Sequence, residues 1–355
     1  MRLNRLLTIL VFGFALNSQA KIWRVNNNGG IDRDFSSLYY AISSNSVVDG
    51  DTIYVEPSAT TYSGAVSMNK RLVVVGVGYR LDSANGGNYG LQHSSHESVL
   101  STITLNSGSE GSKFIGVAAG GFQFRTIAAV TNIEIERCRI YGNAGIYIPS
   151  SWTKTVDSVT VRKCFFSNSG FNYVFENPNL TLQNFVMENC IFLGYARLLP
   201  GITSTNVVFR NNTLDYITAR HAYVANNIFT QNTSSSFTAC IVRNNIFVRN
   251  QGGVAVGPLS VNGNNLIGQS LSTICVNSGS DDGQFKLLTT SPAIGGGVSI
   301  GGIKPDCGAY GGADPYMLSG IPNIPTIYYK TLPNGNTIPS GTQTFIVDFN
   351  TRGNK

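Results

Sequence analysis

The chain is 355 residues long, carries a net charge of +6 and has charges on only 12% of its side chains. So mild a surplus, with no basic cluster, gives nucleic acid no foothold as a partner. Abundant Gly, Asn, Ser and Thr instead describe a surface of strands and turns, on a chain long enough to bury a sizeable core.

Residues 1–20 read as a secretory leader. Arg2 and Arg5 precede an apolar run from Leu6 to Leu16, and Ser18-Gln19-Ala20 is a small-x-small cleavage site. Cleavage after Ala20 leaves a mature chain from Lys21. No later stretch reaches the roughly 18 to 20 apolar residues of a transmembrane segment, so a secreted or cell-surface location is expected. The small basic surplus fits a weak attraction to acidic polysaccharide.

FSSLYYAI places Phe35, Leu38, Tyr39 and Ile42 at helical spacing, with Asp34 available to start the helix. A short amphipathic helix there would close the end of a strand stack, whose terminal rung otherwise exposes core and unpaired backbone. Strands are expected near Thr52 to Val55 and Leu72 to Val75. The stretch from Ser83 to Ser98, with His93 and His96, is expected to be a loop thrown out from one coil.

The segment GDTIYVEPSATTYSGAVSMNKRLVVVGVGY, residues 50–79, resembles the first coils of right-handed parallel β-helix proteins of the pectate-lyase-like group. That resemblance implies an exported all-β solenoid. It does not imply one activity, because the group holds lyases, hydrolases, adhesins and proteins of unknown role.

Between Thr131 and Gly268 the chain repeats one pattern seven times: an alternating strand, a Cys or Asn, then two mostly apolar residues. The anchors are Cys138, Cys164, Cys190, Asn212, Asn227, Asn245 and Asn265, separated by 26, 26, 22, 15, 18 and 20 residues. These gaps are too short for a strand, a crossover helix and a return, so each period is one coil of a β-solenoid. Positions three and five before the anchor form inward columns: Ile135 and Ile133, Val161 and Val159, Met187 and Phe185, Phe209 and Val207, Val224 and Ala222, Val242 and Cys240. The seventh copy fits only with Asn264 as anchor, which predicts a one-residue slip near Gly263.

Asn-Asn pairs at 211–212, 226–227, 244–245 and 264–265 fall where the strand should bend. Asn tolerates the left-handed conformation, and its amide can bond to an identical amide one rung away. Two residues before the anchor stand Glu136, Arg162, Glu188 and Arg210, which predicts an exterior ion ladder. The competing reading, Glu136 and Glu188 as an acidic catalytic pair, sets them two rungs and about 10 Å apart. Cys138, Cys164 and Cys190 are expected as stacked buried thiols acting as small apolar residues, since rungs about 4.8 Å apart exceed disulfide Cβ spacing. A zinc site would need tetrahedral geometry, which three in-line thiols lack.

At the other end, FKLLTTSPAIGGG (285–297) and KPDCGAYGG (304–312) are similar to the last coils of exported bacterial β-helix proteins. ADPYMLSGIPNIPTIYYKTLP (313–333) resembles the tail of such proteins from the Bacteroidota. A β-helix domain over 21–312 is therefore expected, followed by an extended Pro-rich tail, 313–355. TQTFIVDFNTR within that tail either pairs as an extra strand or begins a further module.

Enzymes of the resembled group need converging acids, basic residues or calcium ligands. Here Glu134, Glu136, Asp157, Glu176, Glu188 and Asp215 are scattered over different coil positions. Asp281-Asp282 reads as a turn, Lys70-Arg71 as part of the opening strand, and the glycines from Gly296 to Gly302 as turn residues. Arg220-His221 is the most reactive-looking neighbouring pair, although a lone His beside a strand is usually structural. No catalytic residue, metal or cofactor is assigned.

Two outward strips stand out as apolar: Val186, Val208, Tyr223 and Ile241, and Phe165, Ile191, Ile228 and Ile246. Such strips on a soluble chain are covered, either by the tail or a loop of the chain itself, or by a polysaccharide or surface protein. The expectation is an exported or cell-surface scaffold without catalysis that binds carbohydrate or another surface component. The alternative is a lyase or glycoside hydrolase acting on acidic polysaccharide.

Overall fold

The structure is a computed structural model that describes residues 20–83, 86–125, 130–143, 145–148, 154–168, 171–176, 179–231, 235–248, 254–256, 261–331 and 348–353. Most of the expected leader lies outside them. Short strands stack in parallel into three sheets of eleven, nine and nine strands. The first sheet starts with Ile22–Val25, Thr52–Val55 and Val73–Val75 and runs through the sequence repeats to Val261–Gly263. The expected parallel β-helix of about eleven coils is therefore the observed fold.

Alternation builds its interior. The residues three and five before each anchor are buried from Ile133 and Ile135 through Cys240 and Val242, and they pair rung to rung as Ile135 on Val161, Val161 on Met187 and Met187 on Phe209. Aromatic rings extend this order into the second sheet, where Phe166 stacks on Phe192 with centroids 4.0 Å apart. The six cysteines are all buried free thiols.

The anchor column explains why Cys and Asn share one position. From Cys164 to Asn245, each anchor's main-chain N–H donates to the side chain of the next anchor: Cys164 to Cys190 Sγ (3.5 Å), Cys190 to Asn212 Oδ1 (2.9 Å), Asn212 to Asn227 (2.8 Å), Asn227 to Asn245 (2.9 Å) and Asn245 to Asn265 (2.8 Å). Each Asn amide in turn donates to the carbonyl three residues before the preceding anchor, as Asn227 Nδ2 does to Phe209 O (3.1 Å). The thiols copy this second bond more weakly, Cys164 Sγ reaching Ile135 O at 3.4 Å. The stacked cysteines are thus also polar linkers, beyond the apolar role expected of them.

The first residue of each Asn-Asn pair does different work. Asn211, Asn226, Asn244 and Asn264 share the left-handed bend with Arg137, Lys163 and Asn189, all at φ between +52° and +58°. This backbone turns the chain from the first sheet into the second and aims those side chains outward. A second left-handed column, six residues before the anchor, holds Asn132, Ser158, Asn184, Asn206, His221 and Ala239.

The slip expected near Gly263 is absent. Ile241, Val242 and Arg243 pair with Val261, Asn262 and Gly263 without a shift, and Asn265 keeps the anchor role. Asn262 simply takes the inward position on the last rung, where side chains meet solvent. The irregularity falls in the second sheet instead, where Phe247 pairs with Ile267 but Val248 with Gln269, leaving Gly268 at φ +81° as the extra residue.

The segment resembling last coils does not continue the stack. After the strand Leu266–Gln269 the chain reverses and runs back along the outside, rung by rung, as a strap held by the outward bend residues. Asn244 Nδ2 donates to Gly296 O (3.0 Å), Asn226 Oδ1 accepts from Val298 N (2.8 Å) and Asn211 Nδ2 donates to Asp306 O (2.9 Å). Further back, Asn189 Nδ2 donates to Ala309 O and Gly311 O, Lys163 pairs with Asp314, and Arg137 Nη1 donates to Ile321 O (2.6 Å). Beneath the strap the strip of Phe165, Ile191, Ile228 and Ile246 is buried against Cys307, Ala309, Tyr316 and their neighbours. Its far end is buckled by Asp282, buried, which accepts from Asn88 Nδ2 (2.8 Å), Ser280 Oγ (2.9 Å), Ser319 N (2.8 Å) and Tyr316 OH (3.1 Å). Ser83 to Ser98 is thus the loop to which the strap fastens. The strand Asp348–Arg352 pairs antiparallel with Thr326–Thr331, so the tail supplies its own partner.

At the opposite end a helix, Leu38–Ser43, packs Leu38, Ala41 and Ile42 into the core. Its N-cap is Ser37, whose Oγ accepts from Tyr40 N (3.4 Å), whereas Asp34 accepts from Arg24 N (2.7 Å). Tyr39 faces outward, contrary to the spacing argument, and Ala41 replaces it in the core.

Replacing Asn227 by Ala would strip Asn212 N–H of its acceptor and Phe209 O of its donor inside the core. At about 1–3 kcal/mol per buried group left unpaired, a loss of roughly 2–6 kcal/mol is expected in denaturant unfolding, and Asn227→Cys should recover about half of it because a thiol fills this slot at Cys190. Equal losses for the two variants would contradict the linker role. Gly308 lies at φ +83°, and a Cβ there would come within 2.5 Å of Ile228 Cδ1. Gly308→Val is therefore expected to lift the strap, seen as faster amide exchange over 296–321 while the inner sheets stay protected.

Candidate functional site

With one apolar strip sealed by the strap, the other remains open. Val186, Val208, Tyr223 and Ile241 occupy the outward position four before the anchor on successive rungs, paired in register across the first sheet. The left-handed column two residues earlier bends the chain forward into a wall. Together they form a groove of about 660 Å³ running along the stack, with Val186, Val208, Tyr223 and Ile241 in its floor and Asn184, Asn206, Ser204, His221 and Ala239 beside them. Ile241 is 45% exposed at one end.

The groove is polar at its margins and apolar in its floor. Asn206 Nδ2 donates to Asn184 Oδ1 (3.0 Å), and Asn184 Nδ2 donates to Asp157 Oδ1 (2.8 Å), a short amide ladder along one edge. Burial, with Arg220 beside it, holds the His221 imidazole below its ordinary pKa, so it is neutral at pH 7. No carboxylate lines the groove among the described residues. This is a surface fitted to present an aromatic face, aliphatic floor and neutral hydrogen-bonding groups.

Two of the acids considered from sequence, Glu134 and Glu136, meet, but on Arg162 and outside the groove. Arg162 bonds both Glu134 (2.5 Å) and Glu136 (3.0 Å), and Lys113 reaches Glu134 (2.7 Å). Burial pushes the Glu134 carboxyl up, but hydrogen bonding to Lys113 and the charge of Arg162 override it and leave the pKa below the usual range. Arg210 pairs separately with Glu188 (2.7 Å). The expected ion ladder thus forms as two separate groups, and one of its members is not exterior: Glu136 is buried beside Arg137 (3.3 Å), which the strap covers.

The remaining candidates are structural. Asp281 pairs with Arg80 (3.2 Å) while Asp282 buckles the strap. Lys70 Nζ donates to Ser44 O (2.7 Å) at the helical cap. Asp215 accepts from Thr230 Oγ1 (2.9 Å), with burial raising its pKa. Gly301 and Gly302, both at positive φ, turn the chain between Ile300 and Ile303. His93 and His96 are exposed in the buckle loop, away from His221. Among the described residues no group of three or more His, Cys, Asp or Glu side chains is arranged to hold a metal ion, and no helix is long and apolar enough to cross a membrane. Sequence reading found the floor of the groove but not its wall. The signal was present in the column six before the anchor, where Asn184, Asn206 and His221 recur in step.

No family model matches the chain, and no curated protein does. Among solved structures it is similar to a GH136 lacto-N-biosidase from Eubacterium ramulus, at 11% identity and a TM-score of 0.36. The alignment covers 66% of this chain and 57% of that one, so the chain spans little more than half the enzyme's length. So loose a likeness transfers neither activity nor site residues.

Proposed function

We propose that this protein is an exported β-helix scaffold that holds a polysaccharide along the open groove of its first sheet and does not cleave it. The observation that carries the reading is Tyr223, half-buried between Val208 and Ile241 in an apolar floor edged by amides. A sugar ring has an apolar face that stacks on an aromatic side chain and a rim of hydroxyls that need neutral donors and acceptors, and the groove offers both. Rungs repeat about every 4.8 Å, so the groove sets one floor side chain per rung along a line, which suits an extended polymer. Export rests on the leader, with cleavage after Ala20 placing the scaffold outside the cell or on its surface. Among the described residues no carboxylate lines the groove, whereas hydrolysis needs a pair of acids flanking the bond, which favours holding.

Binding is tested on a panel of neutral and acidic polysaccharides by calorimetry, with parallel assays for unsaturated or reducing-end products. Tyr223→Ala is expected to weaken binding at least about tenfold, or about 1.4 kcal/mol, with unfolding unchanged. Affinity should stay flat above pH 7, where His221 is already neutral, and change only as the pH falls below the ordinary imidazole value of about 6.5. No binding anywhere on the panel, or product release, would overturn the reading.

A further inference from the structure

The main-chain nitrogen of Lys21, the residue that follows the expected cleavage site, meets a buried carboxylate. Asp51 is 1% exposed, and its Oδ2 accepts from Trp23 Nε1 (2.7 Å) and Val48 N (3.0 Å). Its Oδ1 accepts from the main-chain nitrogen of Lys21 at 2.8 Å. In the uncut chain that nitrogen is an ordinary amide, joined to Ala20, and both residues are exposed. Lys21 is also the first residue tied into the stack, because its carbonyl accepts from Thr52 N (2.8 Å). Its Nζ lies over the Trp23 ring, 3.4 Å from the centroid.

Cutting between Ala20 and Lys21 leaves the nitrogen in place and makes it a primary amine, protonated at neutral pH. The bond to Asp51 then changes from a neutral donor on a carboxylate to a partly buried ion pair, with a stronger charge-assisted hydrogen bond. We infer that Asp51, with Trp23 and Val48, is a receptor for the α-ammonium group released by leader removal, so that processing itself locks the first rung of the stack. Because Lys21 is pinned at its own nitrogen and carbonyl, a cut one residue earlier would displace the ammonium from the carboxylate. A cut one residue later would remove the pinned residue. The inference rests on the export reading for the cut, but the ion pair is independent of what the groove binds.

Two measurements separate the parts. The intact mass of chain exported by a secreting host reports the cut, which is expected before Lys21. The ion pair is tested on folded chain made to begin at Lys21, on the same chain with one Gly added in front, and on Asp51→Asn beginning at Lys21. Each is treated briefly with an amine-reactive ester, and N-terminal modification is quantified by peptide mass. The α-amine of the Lys21 chain is expected to react at least about tenfold more slowly than that of the Gly-extended chain, the effect of raising an amine pKa by about one unit. Asp51→Asn should restore the faster rate, and if that variant does not fold the Gly-extended comparison decides alone. Equal rates in the Lys21 and Gly-extended chains would overturn the receptor, and a mature start elsewhere would overturn its link to processing.

Discussion

The coils from Cys164 to Asn265 depend on one exchange: a main-chain N–H at the end of each strand is received by the side chain of the coil above. Strands stacked in parallel satisfy their own ladders, but the corner between two sheets leaves donors that no strand can take up. From Cys164 onward the anchor side chains accept them, and the Asn amides return a bond to the coil below. An unpaired donor there would sit in a dry core, where its desolvation is uncompensated. The Asn and Cys column is therefore a polar spine inside an apolar cylinder, and it fixes the register that hydrophobic packing alone leaves free to slide.

The paired residue at each corner explains the outer surface. A left-handed conformation turns the side chain preceding each anchor outward, and six successive corners, from Arg137 to Asn244, use that exposure to grip one returning segment. One residue supplies the bend and the handhold together. Because the strap needs small residues to approach so closely, its glycines are explained by contact as much as by turning. Gly320 has Arg137 O and Tyr79 Cε1 within 2.3 Å of where a Cβ would stand. The strap covers one outward strip and leaves the next open, which is how a molecule with two similar apolar stripes comes to keep the groove along Tyr223.

Much of this was legible in the residues. Period-two alternation and the recurrent anchor specified the stack, its inward columns and the buried amides, because these rest on local geometry repeated many times. What escaped was whatever depends on a contact distant in sequence. Asn189 and Asn211 look identical to ladder residues until Ala309 and Asp306 are placed opposite them. Glu136 looks solvent-facing until the strap lies over it. The helix start moved from Asp34 to Ser37 because Asp34 had a nearer claim on Arg24 N. The groove floor was visible as an apolar strip, but its amide wall was masked by the bend role that Asn also plays.

The returning strap has a kinetic meaning. It is made after every coil it touches, joining Asn88 to Ser319 across 231 residues. Contacts of such separation form slowly, after the loop between them has been closed at an entropic cost. As the chain emerges from its N-terminal end, early coils can zip upward on the capped end, but their oily flank stays bare until the strap has been made. A chain broken off before residue 271 would retain a well-formed solenoid and still carry Phe165, Ile191, Ile228 and Ile246 in water. The fold thereby distinguishes a finished molecule from an interrupted one, and marks the interrupted one as sticky.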